Sequence, residues 1–96
     1  MASRGEGAIP KSVHTPAYRV FLKHLRAARE MKGISQRELG RRLLQHHDYV
    51  SKCESGERQL NIVELRLWCR ALEVSWTEFL SQLDGLWGDE VWESAE

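Results

Sequence analysis

Apolar positions along this chain keep a helical period, and polar caps and glycines cut that period into short lengths. Val20, Leu22, Leu25, Ala28 and Met31 line a helix that opens at Thr15-Pro16, a hydroxyl N-cap followed by proline at the first helical position. Gly33 is its natural stop. Ser35-Gln36-Arg37-Glu38 reads as a capping box opening a short helix through Leu39 and Leu43. After a turn at Leu44-Gln45-His46, the pattern predicts a third helix over residues 47–55, with Val50 and Cys53 on one face and Gly56 as its end. Asn61-Ile62-Val63-Glu64 starts a fourth helix that continues through Leu65, Trp68, Cys69 and Leu72. Ser75-Trp76-Thr77-Glu78 starts a fifth, through Phe79, Leu80 and Leu83, ending near Gly85. No strand-type alternation and no internal repeat competes. The expectation is an all-α, compact five-helix bundle joined by loops of a few residues.

Residues 1–14 contain Gly and Ser without periodicity and read as a flexible N-terminal arm, leaving residues 15–85 as the domain. Residues 86–96 form an acidic tail that nonetheless holds Leu86, Trp87, Val91 and Trp92. Trp87, Val91 and Trp92 either pack back onto the domain or make a dimer or partner contact, since such surfaces are rich in tryptophan. No apolar run approaches the roughly 20 residues that span a membrane, and no secretory signal is visible, so the chain reads as cytoplasmic. Two cysteines make no disulfide framework; Cys53 and Cys69 fall at core positions and read as inert buried thiols.

A formal charge of zero, from 14 basic and 14 acidic residues, would by itself argue against a polyanionic partner. Its distribution says otherwise. Residues 17–60 hold ten basic side chains against five acids, a balance of +5. Residues 61–96 hold two against eight, a balance of −6, and residues 1–16 contribute +1. One half can therefore face phosphate while the other faces away from it.

The chemistry of catalysis is missing: there is no nucleophile with a base and no glycine-rich phosphate loop, which excludes an enzyme reading. His46-His47-Asp48 are adjacent residues that do not converge on a metal, and no H-E-x-x-H or C-x-x-C spacing accompanies them. No metal and no cofactor is expected. What stands out instead is a pair of short helices, Gln36–Leu43 and His47–Ser55, joined by a tight turn: a helix-turn-helix. Gly40 would let the first helix approach the second closely. With Val50 and Cys53 inward, the opposite face of the second helix carries His47, Asp48, Ser51, Lys52 and Ser55, all polar. A helix of this size fits the major groove of B-DNA, about 12 Å wide.

The segment from Leu25 to Leu80 resembles the helix-turn-helix domain of the XRE family, typified by Cro and lambda-type repressors. The residues carrying the resemblance are Leu25-Arg26, Arg29, Gly33-Ile34-Ser35-Gln36, Glu38-Leu39-Gly40, Leu43, Tyr49-Val50-Ser51-Lys52, Glu54, Gly56-Glu57-Arg58, Leu60, Leu72-Glu73-Val74 and Phe79-Leu80. The resemblance implies a lambda-repressor-like DNA-binding fold. It also implies base readout by His47, Asp48 and Lys52, which stand at the family's base-reading positions. Lys52 can donate to guanine O6/N7, Asp48 can accept from cytosine N4, and His47 can do either. Phosphate contacts are expected from Gln36, Arg37, Tyr49, Ser51, Arg58 and Gln59. Arg29 and Glu54 match a buried ion pair with which the family ties its first helix to the recognition helix. Arg41 and Arg42 read as a solvated helix face. Leu44 departs from the family, standing where glycine is usual, and His46 stands where proline or a polar residue is common.

Together these readings make a bacterial or phage transcriptional regulator that binds double-stranded DNA as a homodimer on an inverted repeat. The alternative is an antitoxin or adaptor on the same fold, whose acidic C-terminal third grips a protein partner.

Overall fold

The computed structural model describes residues 15–93, so the expected arm at 1–14 and the last three residues of the tail lie outside the described part. Six α-helices and no strand occur among the described residues. They are α1 (Pro16–Met31), α2 (Gln36–Arg42), α3 (Tyr49–Ser55), α4 (Ile62–Leu72), α5 (Trp76–Leu86) and α6 (Asp89–Glu93).

Local chemistry sets most helix starts. Thr15 Oγ1 accepts from the Tyr18 amide (3.1 Å) ahead of Pro16, so α1 begins with one orphan donor satisfied and one absent. Asn61 completes a capping box: its Oδ1 accepts from the Glu64 amide (2.8 Å) while Glu64 Oε1 accepts from the Asn61 amide (3.0 Å). Ser35 and Ser75 form half of a box each, accepting from the amides of Glu38 (3.0 Å) and Glu78 (3.1 Å). At α2 the return bond is forgone because the Glu38 carboxylate is taken by two arginines. Gly33 and Gly56 follow α1 and α3 at φ +69° and +87°, the left-handed geometry that costs glycine nothing.

The core fills the space between these elements. Leu25, Leu39, Val50, Cys53, Trp68, Cys69 and Leu72 are almost wholly removed from solvent, with Trp68 the largest. The burial of so many large apolar side chains, each contributing about 1.5–3 kcal/mol, is the main force holding six short helices that would not persist alone. α1 packs against α3, α5 and α6, while α2 packs against α3 and α4. Polar atoms that enter the core find partners. Tyr18 Oη accepts from the Leu60 amide (3.1 Å), and His24 Nε2 donates to the Phe79 carbonyl (3.2 Å) while its ring stacks on Phe79.

The C-terminal segment corrects one expectation. Beyond Leu86 the chain turns and forms α6 against α1, making a sixth helix. Trp87 Nε1 donates to the Ala17 carbonyl (2.8 Å), Val91 is buried, and Trp92 leans edge-on against Trp87 with ring centroids 5.0 Å apart. Trp87 and Val91 are therefore inward-facing, because on α1 the indole finds both an acceptor and an apolar wall. Of the three residues expected as a dimer or partner contact, Trp92 alone keeps half its surface exposed (52%).

Candidate nucleic-acid interface

α2 and α3 make the helix-turn-helix, joined by residues 43–48. The turn closes by backbone bonds: Leu44 N–H to Arg41 O (3.1 Å), Gln45 N–H to Gly40 O (2.9 Å) and Tyr49 N–H to His46 O (3.0 Å). Leu44 adopts φ +56°, the left-handed conformation for which the family's usual glycine is suited, and the residue is 90% exposed. The close approach expected at Gly40 is moderate. A Cβ there would sit 3.6 Å from the His46 carbonyl oxygen, an ordinary contact.

α3 begins at Tyr49, two residues later than its predicted start, because the turn ending in Tyr49 N–H to His46 O occupies the intervening residues. His47 lies in the turn and Asp48 at the N-cap, so of the three base-reading candidates only Lys52 stands on the helix itself. Asp48 makes no side-chain cap to α3. Its carboxylate instead accepts from His46 Nδ1 (2.8 Å) and from Lys52 Nζ (3.2 Å). The His46 contact first, and Lys52 after it, hold the Asp48 carboxyl below its ordinary range.

The presentation of α3 rests on Glu54. Arg29 Nε and Nη2 grip its carboxylate at 2.7 and 3.1 Å, and Gln36 Nε2 donates to Oε1 at 2.9 Å. Arg29 Nη1 also reaches the Ile34 carbonyl (2.8 Å). One carboxylate thus joins α1, α2 and α3, and the arginine that grips it adds the α1–α2 link. The Arg29 and Glu54 side chains are 8% and 3% exposed, and the number of bonds offsets what it costs to desolvate two charges.

The phosphate candidates divide. Arg37 and Ser51 are exposed and have no hydrogen-bond or ion-pair partner among the described residues. Gln59 is exposed as well. Arg58 is half-exposed, with Nη2 on Glu64 Oε2 (3.0 Å) and its guanidinium 5.0 Å from the centre of the Tyr49 ring. Gln36 is drawn to Glu54, as described. Tyr49 turns inward: its hydroxyl accepts from Trp68 Nε1 (3.2 Å), and burial pushes its pKa up. That hydroxyl joins α3 to α4. Burial likewise pushes up the thiols of Cys53 and Cys69.

Arg41 and Arg42 do more than coat a solvated face. Both bond to Glu38, at 2.7 Å from Arg41 Nη2 and 3.0 Å from Arg42 Nε, and these bonds hold its carboxyl at about 2. Arg42 Nη1 also donates to the Ala71 carbonyl (2.8 Å) near the end of α4. No sequence signal separates this strut from ordinary surface arginines. Among the described residues no cluster of His, Cys, Asp and Glu could hold a metal ion, and no helix is long and apolar enough to cross a membrane.

A helix-turn-helix family model matches residues 25–79, from the middle of α1 into α5. The solved structure of an XRE-family like protein from Pseudomonas syringae pv. tomato superposes with a TM-score of 0.68 at 35% identity, covering 75% of this chain and 90% of that one. The chain belongs to the XRE family. No curated protein sequence matches it significantly. As an XRE-family member it is a DNA-binding helix-turn-helix regulator, and α6 with the first turns of α1 lie outside the matched segment.

Proposed function

We propose that this XRE-family chain recognises a specific duplex DNA sequence with the N-terminal end of α3 in the major groove, as a homodimer on an inverted repeat. The observation that carries the reading is the way α3 is held. Val50 and Cys53 are fully buried on one side, and the Arg29–Glu54 fork clamps the helix from behind. Ser51, Lys52 and Ser55 are left exposed on the other. A rigidly seated helix with a polar outer face suits base readout, where a bidentate pair discriminates by about 1–3 kcal/mol.

In this reading His47, Asp48 and Lys52 contact bases, while Arg37, Ser51, Arg58 and Gln59, with Gln36 at the start of α2, contact phosphates. The acidic C-terminal helices face away from the duplex, and symmetry pairs two copies about one helical turn apart, ~34 Å. Selection of bound sites from random duplexes is the direct test. A palindromic consensus with half-sites one turn apart is the expected result, and recovery of no consensus sinks the reading. Lys52→Ala should relax preference at one base pair, whereas Arg58→Ala should weaken all sequences alike and lower the salt slope by about one.

A second reading, an antitoxin or adaptor that holds a protein through its acidic third, is favoured by the exposed Leu86 and Trp92. Trp92→Ser tests it without removing Trp87 or Val91 from the core.

A further inference from the structure

We propose that His46 is a further specificity-determining residue, and that its contact with DNA changes character with its protonation. The inference rests on the DNA-recognition reading given above. His46 precedes α3 in the turn, at the helix end that enters a major groove, and its side chain is 71% exposed. Its ring is not free to choose a tautomer. Nδ1 lies 2.8 Å from Asp48 Oδ1, and a carboxylate only accepts, so Nδ1 carries the proton. The neutral ring therefore holds its lone pair on Nε2, the other end of the imidazole.

Asp48 ties the same unit to the helix, since its Oδ2 receives Lys52 Nζ at 3.2 Å. His46, Asp48 and Lys52 form one chain of contacts across the start of α3. The His47 ring is tilted against His46, with centroids 4.3 Å apart. The charged or titratable groups meeting His46 are thus Asp48 directly, Lys52 through it, and His47 beside it. α2 meets this turn through Gly40 and the Arg41 carbonyl, and the guanidinium groups of Arg41 and Arg42 are held on Glu38.

The consequence is chemical. Neutral His46 presents an acceptor at Nε2, which suits the amino group of cytosine or adenine. Protonated His46 presents a donor there, which suits guanine O6 or N7 or a phosphate oxygen, and adds a positive charge beside the duplex. Asp48 stays ionised in both states and supports the imidazolium. DNA that binds the protonated form draws a proton onto His46, so affinity for such a site rises as pH falls. Lys52 reads its base with its ammonium anchored on Asp48, which couples the two contacts.

The test is site selection from random duplexes at about pH 5.5 and about pH 8, across the range in which imidazoles titrate. Binding constants for the selected sites then follow for the full chain and for the His46→Gln, His47→Gln and Asp48→Asn variants. The expected result is a guanine preference at one position that is several-fold stronger at the lower pH. That pH dependence should vanish in His46→Gln, persist in His47→Gln, and weaken in Asp48→Asn. His46→Gln and Asp48→Asn should be non-additive when combined. A wild-type consensus identical at both pH values, or a pH dependence that disappears with His47 instead, overturns the role of His46 and leaves sequence-specific binding standing. Absence of any consensus overturns both. Far-ultraviolet circular dichroism of each variant separates loss of contact from loss of fold, and a folded His46→Gln with unchanged selectivity at both pH values refutes the proposal.

Discussion

Arg29 holds Glu54 through two nitrogens, at 2.7 and 3.1 Å, across 25 positions of the chain. Both side chains are nearly excluded from water, so neither tolerates loss of the other. Arg29→Ala or Glu54→Ala should each lower the unfolding free energy by about 3–5 kcal/mol, because each strands a buried charge. The double change Arg29→Met with Glu54→Leu should cost less than either single change. Urea unfolding of the three variants checks this, and additive losses would show that the two residues do not act as a pair.

Leu44 and Glu73 both sit in the left-handed region, at φ +56° and +59°. A side chain there costs about 1–2 kcal/mol, of which glycine's extra backbone freedom cancels about 0.5–1. Leu44→Gly should therefore raise stability by about 0.5–1 kcal/mol, and it also removes an exposed apolar side chain. Thermal unfolding reads the gain directly.

Two glycines should respond in opposite directions. Gly40 lies inside α2 with room for a methyl group, so Gly40→Ala should stabilise by about 0.5–1 kcal/mol. Gly56 has φ +87° and a Cβ there would meet Leu22 Cδ1 at 3.3 Å, so Gly56→Ala should destabilise by about 1–2 kcal/mol. A loss at position 40 would mean that the turn presses on α2 more closely than 3.6 Å.

The Glu38 fork predicts an acid-sensitive contribution. Its carboxyl lies at about 2 in the folded chain against an ordinary 4.5. A lowered folded value means that the stabilisation is fully present above 4.5 and is lost as pH falls from there through about 2. Glu38→Gln should flatten, without abolishing, the decline of melting temperature below pH 4.5, because Asp48 and Glu64 are also held low. An unchanged acid limb would show that the exposed fork is screened by solvent.

Trp87 and Trp92 should behave unlike each other. Trp87→Ala removes the bond to Ala17 and part of the wall over α1, and should cost about 2 kcal/mol or more. Trp92→Ala should cost about 0.5–1.5 kcal/mol, the worth of its edge-on contact with Trp87. Intrinsic fluorescence of the single variants follows both.

Helix starts were legible because they are local. Thr15, Ser35, Asn61 and Ser75 each cap from their own side chain, and Pro16, Gly33 and Gly56 act through backbone geometry alone. What escaped the sequence depends on contacts across the chain. The start of α3 is set by a turn closed through the His46 carbonyl, which no hydrophobic pattern records. The inward turn of Tyr49 depends on Trp68, 19 residues on, and the strut from Arg42 depends on the Ala71 carbonyl, 29 residues on. α6 is too short, at five residues, for periodicity to mark it, and only its docking on α1 makes it a helix. Among the site residues, the polar helix face and the family resemblance pointed to His47, Asp48, Ser51 and Lys52, but the grouping of His46 with Asp48 needed coordinates.

The bond from Trp87 to Ala17 joins residues 70 positions apart. The first turn of α1 is therefore held from two directions, by Tyr18 on Leu60 and by the Trp87 indole on Ala17. Once closed, the clasp brings the point where the chain enters the domain close to the point where it leaves. A fusion or truncation at one end is thereby felt at the other.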